Sequence, residues 1–332
     1  MDAVLWLIAG LIALIAGAEL VVRYGSLLAA RMGVPPMIIG LTIVSIGTSA
    51  PELAVGVDAM HRNAGSLALG NIAGTNIVNI MLILGLSAAV RALPFGRRTL
   101  VLDLPGMAIA AVLVLIFCLD GELQLWEGIP LVAGAVIYTV LLGLWTRREN
   151  GRPVEVPGVG LVGAAEIVEQ PDLPARPNRW SAGWYTLVLI AGIIVIVVGA
   201  DWLVSGAVSL ARQVGVSDAF IGLTIVAIGT SAPELVTTIV STVRGDREIA
   251  IGNLIGSSVF NLTLILGVPV LVANGSGPID AHLLHIDLPI MVAVSLLCVP
   301  LFLTGKRLSR WEGAALVLGY IVYLTYVITV RG

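Results

Sequence analysis

Two segments of the chain combine a carboxylate, two hydroxyls and a proline within six residues. Residues 47–52 read Gly-Thr-Ser-Ala-Pro-Glu, and residues 229–234 repeat the same letters. Proline has no N–H to donate and its ring crowds the carbonyl four residues back, so each segment predicts a kinked or broken helix with unpartnered carbonyl oxygens. The two hydroxyls precede the carboxylate by three and four residues and therefore share its helical face. Carboxylate, hydroxyl and carbonyl oxygens together predict a cation site. Its candidate ligands are Glu52, Thr48, Ser49, Glu234, Thr230 and Ser231.

A polar stripe with a period of four residues follows each segment. The two stripes consist of Asn71, Thr75, Asn79 and of Asn253, Ser257, Asn261. Glycines beside them would let helices approach closely, so the stripes serve either hydrogen bonding between helices or ion binding. We favour ion binding for Thr75, Asn79, Ser257 and Asn261. For Asn71 and Asn253 both interpretations stay open.

The elements that position these residues are apolar helices. Of the 332 residues, 58% are hydrophobic and 12% are charged, and the mean hydropathy is +1.02, whereas soluble domains have about 45–50% and 25%. The net charge of −3 argues against a nucleic-acid-binding protein, which would be basic. Apolar runs of about 20 residues, enough to cross the bilayer, predict an all-α polytopic membrane protein with ten transmembrane helices. The predicted spans are 3–22, 36–60, 66–90, 99–119, 125–145, 184–210, 218–243, 248–273, 283–304 and 311–330.

The basic residues indicate an orientation. If the N-terminus lies outside, all of the 18 Lys and Arg residues except Arg62, Arg212 and Arg331 fall in inner segments. The positive-inside rule then predicts that both termini lie outside and that the polar segment 146–183 is a cytoplasmic linker. We therefore expect a multi-pass protein of the plasma (inner) membrane. Glu19 precedes Arg23 by four residues, which predicts an interfacial ion pair between them.

The chain repeats itself at an offset of 182 residues. Residues 40–53 and 222–235 differ only at Ser45 and Ala227. Trp-Glu-Gly recurs at 126 and 311, where the offset has grown to 185 residues. A duplicated unit of five spans must enter the membrane in opposite directions because five is odd, as in the inverted repeats of secondary transporters. We predict one five-helix repeat at 1–145, with an alpha-1 motif at 40–79, and a second at 184–332, with an alpha-2 motif at 222–261.

Glu52 and Glu234 are energetically unfavourable in the middle of a transmembrane span. Inserting an acidic residue there costs about 2.5–3.5 kcal/mol, and neither motif contains Lys or Arg. Each glutamate is either protonated and hydrogen-bonded across a helix interface or neutralised by a cation, and its recurrence in both repeats favours the cation. An all-oxygen ligand set suits Ca²⁺, Na⁺, Mg²⁺ or exchange with H⁺ rather than soft transition metals.

The two GTSAPE segments, each followed by a GNxxG(S/T) helix, resemble the calcium/cation antiporter superfamily, the prokaryotic calcium/sodium antiporters and Na⁺/Ca²⁺ exchangers. The resemblance implies ten helices with the second, third, seventh and eighth around a central site. It implies secondary transport of inorganic cations, with no enzymatic activity, no resident cofactor and no nucleic-acid partner. It also implies Glu52 and Glu234 as the central metal ligands. Further oxygens would come from Thr48, Ser49, Thr75, Asn79, Thr230, Ser231 and Ser257, and from the backbone carbonyls of Ser45 and Ala227.

One residue departs from that family pattern. Where the resemblance implies an aspartate, this chain has Asn261, so the site holds two carboxylates. Two charges balance one Ca²⁺, two Na⁺ or two H⁺. Na⁺/Ca²⁺ exchange by alternating access is the family expectation, and proton-coupled exchange of Ca²⁺ or of a monovalent cation is the alternative. A cation channel is the alternative from another class.

Overall fold

The computed structural model describes residues 2–62, 64–149, 181–213, 227–273, 275, 277–303 and 305–331. These residues form helices joined by short connections and one pair of two-residue strands, β1 (Leu93–Pro94) and β2 (Arg307–Leu308). The helices are α1 (Asp2–Met32), α2 (Pro36–Thr48), α3 (Ala50–His61), α4 (Gly65–Val90), α5 (Thr99–Asp120), α6 (Leu125–Glu149), α7 (Ser181–Gln213), α8 (Ala227–Thr230), α9 (Ala232–Arg244), α10 (Glu248–Val272), α11 (Leu283–Leu303) and α12 (Arg310–Arg331).

Eight of the described helices are long and apolar enough to cross a membrane, and the bent pair α2 and α3 makes a ninth. The predicted span 218–243 is only partly described, because its residues 218–226 lie outside the described residues. The first span is longer than predicted. Helix α1 continues through Arg23 to Met32 because no helix breaker intervenes before Gly33, whose φ of 66° ends it.

Helices α1 and α7 form a close pair beside the rest of the bundle. Their contact is made of glycines seven residues apart along each helix: Gly10 and Gly17 on α1, and Gly192, Gly199 and Gly206 on α7. A Cβ atom on Gly10 would lie 2.5 Å from the backbone nitrogen of Leu203. Glycine is required here because the two backbones touch, which is how helices associate closely in lipid.

We expect Gly10→Leu to disrupt this helix pair. The added side chain would collide with the α7 backbone, and overpacking costs about 1–3 kcal/mol or more. Thermal unfolding in detergent should show a lower midpoint for this variant than for the wild type. Gly143→Leu is the matched control, since nothing lies within 4 Å of a Cβ built there. Equal midpoints for the two variants would contradict the expected role of this contact.

The two halves of the chain interlock through equivalent helix crossings. Gly85 of α4 packs against the carbonyl of Gly313 on α12, and Gly267 of α10 packs against the carbonyl of Gly128 on α6. In each crossing, one half supplies the Leu-Ile-Leu-Gly residues and the other supplies Trp-Glu-Gly. Within each half, an equivalent side-chain contact joins the fourth and fifth predicted spans. The Tyr138 hydroxyl donates to Asp103 at 3.1 Å, and the Tyr323 hydroxyl donates to Asp287 at 3.1 Å.

Loops at both ends of the bundle also join the halves. At one end β1 and β2 pair antiparallel, and the N–H of Phe95 donates to the carbonyl of Lys306 at 2.8 Å. At the other end the N–H of Ile279 donates to the carbonyl of Gly121 at 2.7 Å. The first end carries the exposed basic residues Arg91, Arg97, Lys306, Arg307 and Arg310. The second end carries the exposed acidic residues Asp120, Glu122 and Asp280.

Candidate functional site

Both GTSAPE segments interrupt their helices at the serine. Ser49 has φ −85° and ψ 11°, and Ser231 has φ −86° and ψ 4°, so neither residue is helical. Helices α2 and α3 bend by 43° across Ser49. Pro51 and Pro233 lie in the first turn of the new helix, where a missing N–H is tolerated. The predicted break is therefore confirmed in both segments.

The breaks place two carboxylates at helix N-termini. Glu52 and Glu234 both lie in the first turn, of α3 and α9 respectively. The positive end of a helix dipole favours negative charge at that position. Each helix end therefore helps to hold a carboxylate that the lipid environment disfavours.

Glu52 and Glu234 meet at the centre of the bundle. Both side chains are 0% exposed, and the two carboxylates are close enough to interact electrostatically. Ser49 Oγ donates to Glu234 Oε1 at 3.1 Å, so the first motif touches the carboxylate of the second. Neither oxygen of Glu52, nor Oε2 of Glu234, has a hydrogen-bond partner within the described part of the chain.

Buried neutral polar groups with no partner lie on α4 and α10 and at the break before α9. The side-chain amides of Asn79 and Asn261 are buried, and neither makes a hydrogen bond to the residues described. The same holds for the hydroxyls of Ser231 and Ser257. Leaving a buried polar group unsatisfied costs about 1–3 kcal/mol. So many unsatisfied oxygens in the two motifs are expected only where a ligand satisfies them, and a hard cation fits carboxylate, amide and hydroxyl oxygens.

Asn79 and Asn261 both lie in widened helical turns. Val78–Leu84 and Asn261–Ile265 are π-helical segments within α4 and α10. Such turns are frequent at functional sites. Thr75, one turn before Asn79, is 3% exposed.

Asn253 makes hydrogen bonds between helices, which favours the packing interpretation left open above. Its side-chain carbonyl accepts from Thr48 Oγ1 at 3.3 Å, and its backbone carbonyl accepts from Ser45 Oγ at 3.0 Å. Its Nδ2 donates to Thr238 Oγ1 at 3.4 Å. Asn253 therefore holds α2, α9 and α10 together. The corresponding Asn71 is half-buried, and its Nδ2 finds no partner among the described residues.

The remaining candidates are Thr48, Thr230 and the backbone carbonyls of Ser45 and Ala227. Thr48 lies within hydrogen-bonding reach of Glu234, and Thr230 is half-buried in α8. The backbone carbonyl of Ser45 already accepts from Thr48 Oγ1 at 3.3 Å and from the N–H of Ser49 at 3.1 Å. Ala227 begins α8, and the residues before it are outside the described residues.

Thr237 is a candidate that the sequence comparison missed. It follows Glu234 by three residues, is 0% exposed, and its hydroxyl lacks a hydrogen-bond partner in the described ranges. Its position one turn after the carboxylate could have identified Thr237 from the sequence. Comparison of the two repeats did not identify it, because the corresponding residue of the first motif is the apolar Val55.

Residues 3–144 and 184–329 match the model of the family described as sodium/calcium exchanger protein. The chain belongs to this family. The two matched lengths leave out the segment predicted as a linker.

Two relatives and one solved structure are among the proteins that match nearly the whole chain. CaxA of Alkalimonas amylolytica is 35% identical over 324 residues, which is 97% of each protein. The sodium/calcium exchanger MaX1 of Methanosarcina acetivorans is 31% identical, over 96% of each. A structure of the sodium-calcium exchanger NCX_Mj superposes with a TM-score of 0.79 at 27% identity and covers 98% of each chain.

Proposed function

We propose that this exchanger-family protein is a secondary active antiporter that exchanges Ca²⁺ for Na⁺ at a site built on Glu52 and Glu234. One observation carries the proposal. Each motif contributes a fully buried carboxylate, and no described basic residue forms an ion pair with either. Two carboxylates balance one Ca²⁺, and neutral oxygens complete a hard-cation site. The proposed ligands are Glu52, Glu234, Thr48, Ser49, Thr75, Asn79, Thr230, Ser231, Ser257 and Asn261, with the carbonyls of Ser45 and Ala227 as outer members.

The proposed architecture is ten transmembrane helices in two inverted five-helix repeats, 1–145 and 184–332, joined by the linker 146–183. The equivalent glycine crossings and Tyr–Asp pairs of the two halves support this arrangement. The basic loops at one end of the bundle and the acidic loops at the other support an inner-membrane protein with both termini outside and the linker in the cytoplasm.

The proposed mechanism is alternating access. Ca²⁺ and Na⁺ compete for the same oxygens, and ion occupancy allows α1 and α7 to move across the rest of the bundle. Without a cation, two carboxylates in a medium of low dielectric would repel each other, so the empty site resists the transition. Exchange is thereby favoured over leak.

Asn261 favours a second candidate for the counter-ion. With two carboxylates and no third acid, two protons balance the site as fully as two Na⁺ ions. Proton-coupled exchange of Ca²⁺ or of a monovalent cation is therefore the second proposed function. A load of three Na⁺ is disfavoured because the third ion would have no partner charge.

Purified protein in liposomes tests the proposal. An outward Na⁺ gradient should drive ⁴⁵Ca²⁺ uptake, and the ionophore monensin should abolish that uptake by dissipating the gradient. If a pH gradient drives the uptake and Na⁺ has no effect on it, the counter-ion is H⁺ rather than Na⁺. Currents that need no counter-ion gradient and exceed the turnover of a carrier would instead identify a channel.

A further inference from the structure

An ion pair ties the close pair of helices to the rest of the bundle. Glu19 of α1 pairs with Arg244 at the end of α9. The two side chains are 45% and 38% exposed. The local spacing predicts Arg23 as the partner of Glu19, and that prediction is wrong. Helix α1 packs along α9, which brings Arg244 to Glu19 from another part of the sequence.

The repeat also places an acidic and a basic residue at the two corresponding positions. At the offset of 182 residues, Glu19 corresponds to Asp201 on α7 and Arg244 corresponds to Arg62 at the end of α3. These two do not pair. Arg62 instead bonds Asp58, four residues earlier, with Nε to Oδ2 at 3.0 Å. Asp201 is exposed and has no ion pair among the described residues.

The packing of the two corresponding helix pairs differs in the same way as their ion pairs do. Helix α1 lies along α9, whereas the corresponding helices α7 and α3 make at most marginal contact. The ion pair is therefore formed where the two helices pack together, between α1 and α9. It is absent between α7 and α3, which do not pack along each other.

We propose that Glu19–Arg244 and Asp201–Arg62 are two alternately formed latches, one for each side of the membrane. This inference rests on the proposed alternating-access function. In the conformation described, the Glu19 latch is closed and the Asp201 latch is open. In the opposite conformation α7 approaches α3, Asp201 takes Arg62 from Asp58, and Glu19 releases Arg244.

Each arginine has a second carboxylate that receives it when its latch opens. Arg62 has Asp58 on its own helix. The residue corresponding to Asp58 in the other half is Val240, so Arg244 has no such partner within α9. Arg244 lies near Asp246 instead. Burial raises the pKa of Asp246, and the guanidinium of Arg244 partly opposes that increase. Because each arginine has a carboxylate beside it in both states, the latches bias the equilibrium without blocking it.

The bias of each latch is modest. The pairs are partly exposed, and such ion pairs shift an equilibrium by about fivefold at most. Glu19→Gln should therefore increase the population with the Asp201 latch closed by about twofold to fivefold. Asp201→Asn should reduce it by a similar factor. Glu122→Gln, an exposed glutamate in a loop, is the control for the same chemical change and should leave the population unaltered.

Cysteine cross-linking can observe both latches, because each one joins the two halves across the linker. A protease site placed within 146–183 lets the halves separate on a denaturing gel unless a cross-link holds them. Glu19→Cys/Arg244→Cys reports the first latch, and Arg62→Cys/Asp201→Cys reports the second, each treated with a short bifunctional thiol reagent in Na⁺ and in Ca²⁺. The native Cys118 and Cys298 are both buried, and the wild type measures their background.

We expect both pairs to cross-link, with yields that change in opposite directions as the ions are varied. Each cross-link should stop transport, and a cleavable reagent should restore it on reduction. Failure of the Arg62–Asp201 pair to cross-link in any ion condition, in a protein whose wild type exchanges ions, would overturn the latch proposal alone. A wild type without ion exchange would overturn the proposed function instead. Simultaneous cross-linking of both pairs in one molecule carrying all four cysteines would also overturn the latch proposal.

Discussion

Glu52→Gln and Glu234→Gln are each expected to abolish Na⁺-driven Ca²⁺ uptake. Glutamine keeps the size of the side chain and removes one of the two negative charges that balance a buried dication in the proposed function. Removing one partner of a buried charge pair costs about 3–5 kcal/mol, which is at least about a 100-fold loss of ion affinity. The measurements are ⁴⁵Ca²⁺ flux in proteoliposomes and Ca²⁺ binding by calorimetry in detergent.

The controls for these variants separate charge at the site from charge in general. Glu122→Gln makes the same chemical change on an exposed loop and should transport as the wild type does. The site variants should elute as monodisperse protein and unfold at a temperature no lower than the wild type, because neutralising either carboxylate relieves the repulsion between them. Wild-type flux in both site variants would refute the ligand assignment.

The second large effect is expected for Asn261→Asp, which should make transport sensitive to membrane voltage. On the proposed stoichiometry, the two carboxylates of the wild type balance one Ca²⁺ or two monovalent ions, so no net charge crosses per cycle. A third carboxylate recruits a third monovalent ion and leaves one charge unbalanced in each cycle. One charge moved through 100 mV is worth about 2.3 kcal/mol, or about 50-fold in the final Ca²⁺ gradient.

Potassium-loaded liposomes with valinomycin provide the test. The Ca²⁺ gradient reached by the wild type should be the same with and without an imposed potential, and that of Asn261→Asp should depend on it. Asn261→Ala removes the amide without adding charge, so it should slow uptake and leave it insensitive to voltage. A voltage-dependent wild type would mean that a third cation binds with only two carboxylates, which would contradict the proposed stoichiometry.

Much of the candidate site could be predicted from the sequence because its determinants are local. Pro51 and Pro233 remove N–H groups at fixed distances from their carboxylates, and the helices break at the serine beside each one. The role of Asn253 could not be predicted. Asn253 and Asn261 are the same residue type on the same helix, and only the crossing of α2 over α10 turns the first toward Thr48 while the second stays unpartnered.

The partner of Glu19 could not be predicted for a related reason. Spacing within a helix favours Arg23, and that preference is worth only about 0.2–0.5 kcal/mol. The packing of α1 along α9 outweighs it and supplies Arg244.

The glycine crossings at Gly85–Gly313 and Gly128–Gly267 have a consequence for biogenesis. The first half of the chain leaves the ribosome with Gly85 and Gly128 in place, but both of their partners belong to the half that follows. Until α10 and α12 are inserted, α4 and α6 present bare backbone to lipid, where small-residue grooves attract any neighbouring helix. We therefore expect the late helices α10 and α12 to pack into grooves on the earlier helices α4 and α6. A chain truncated after α9 would lack both partners, and we expect quality-control proteases to degrade it.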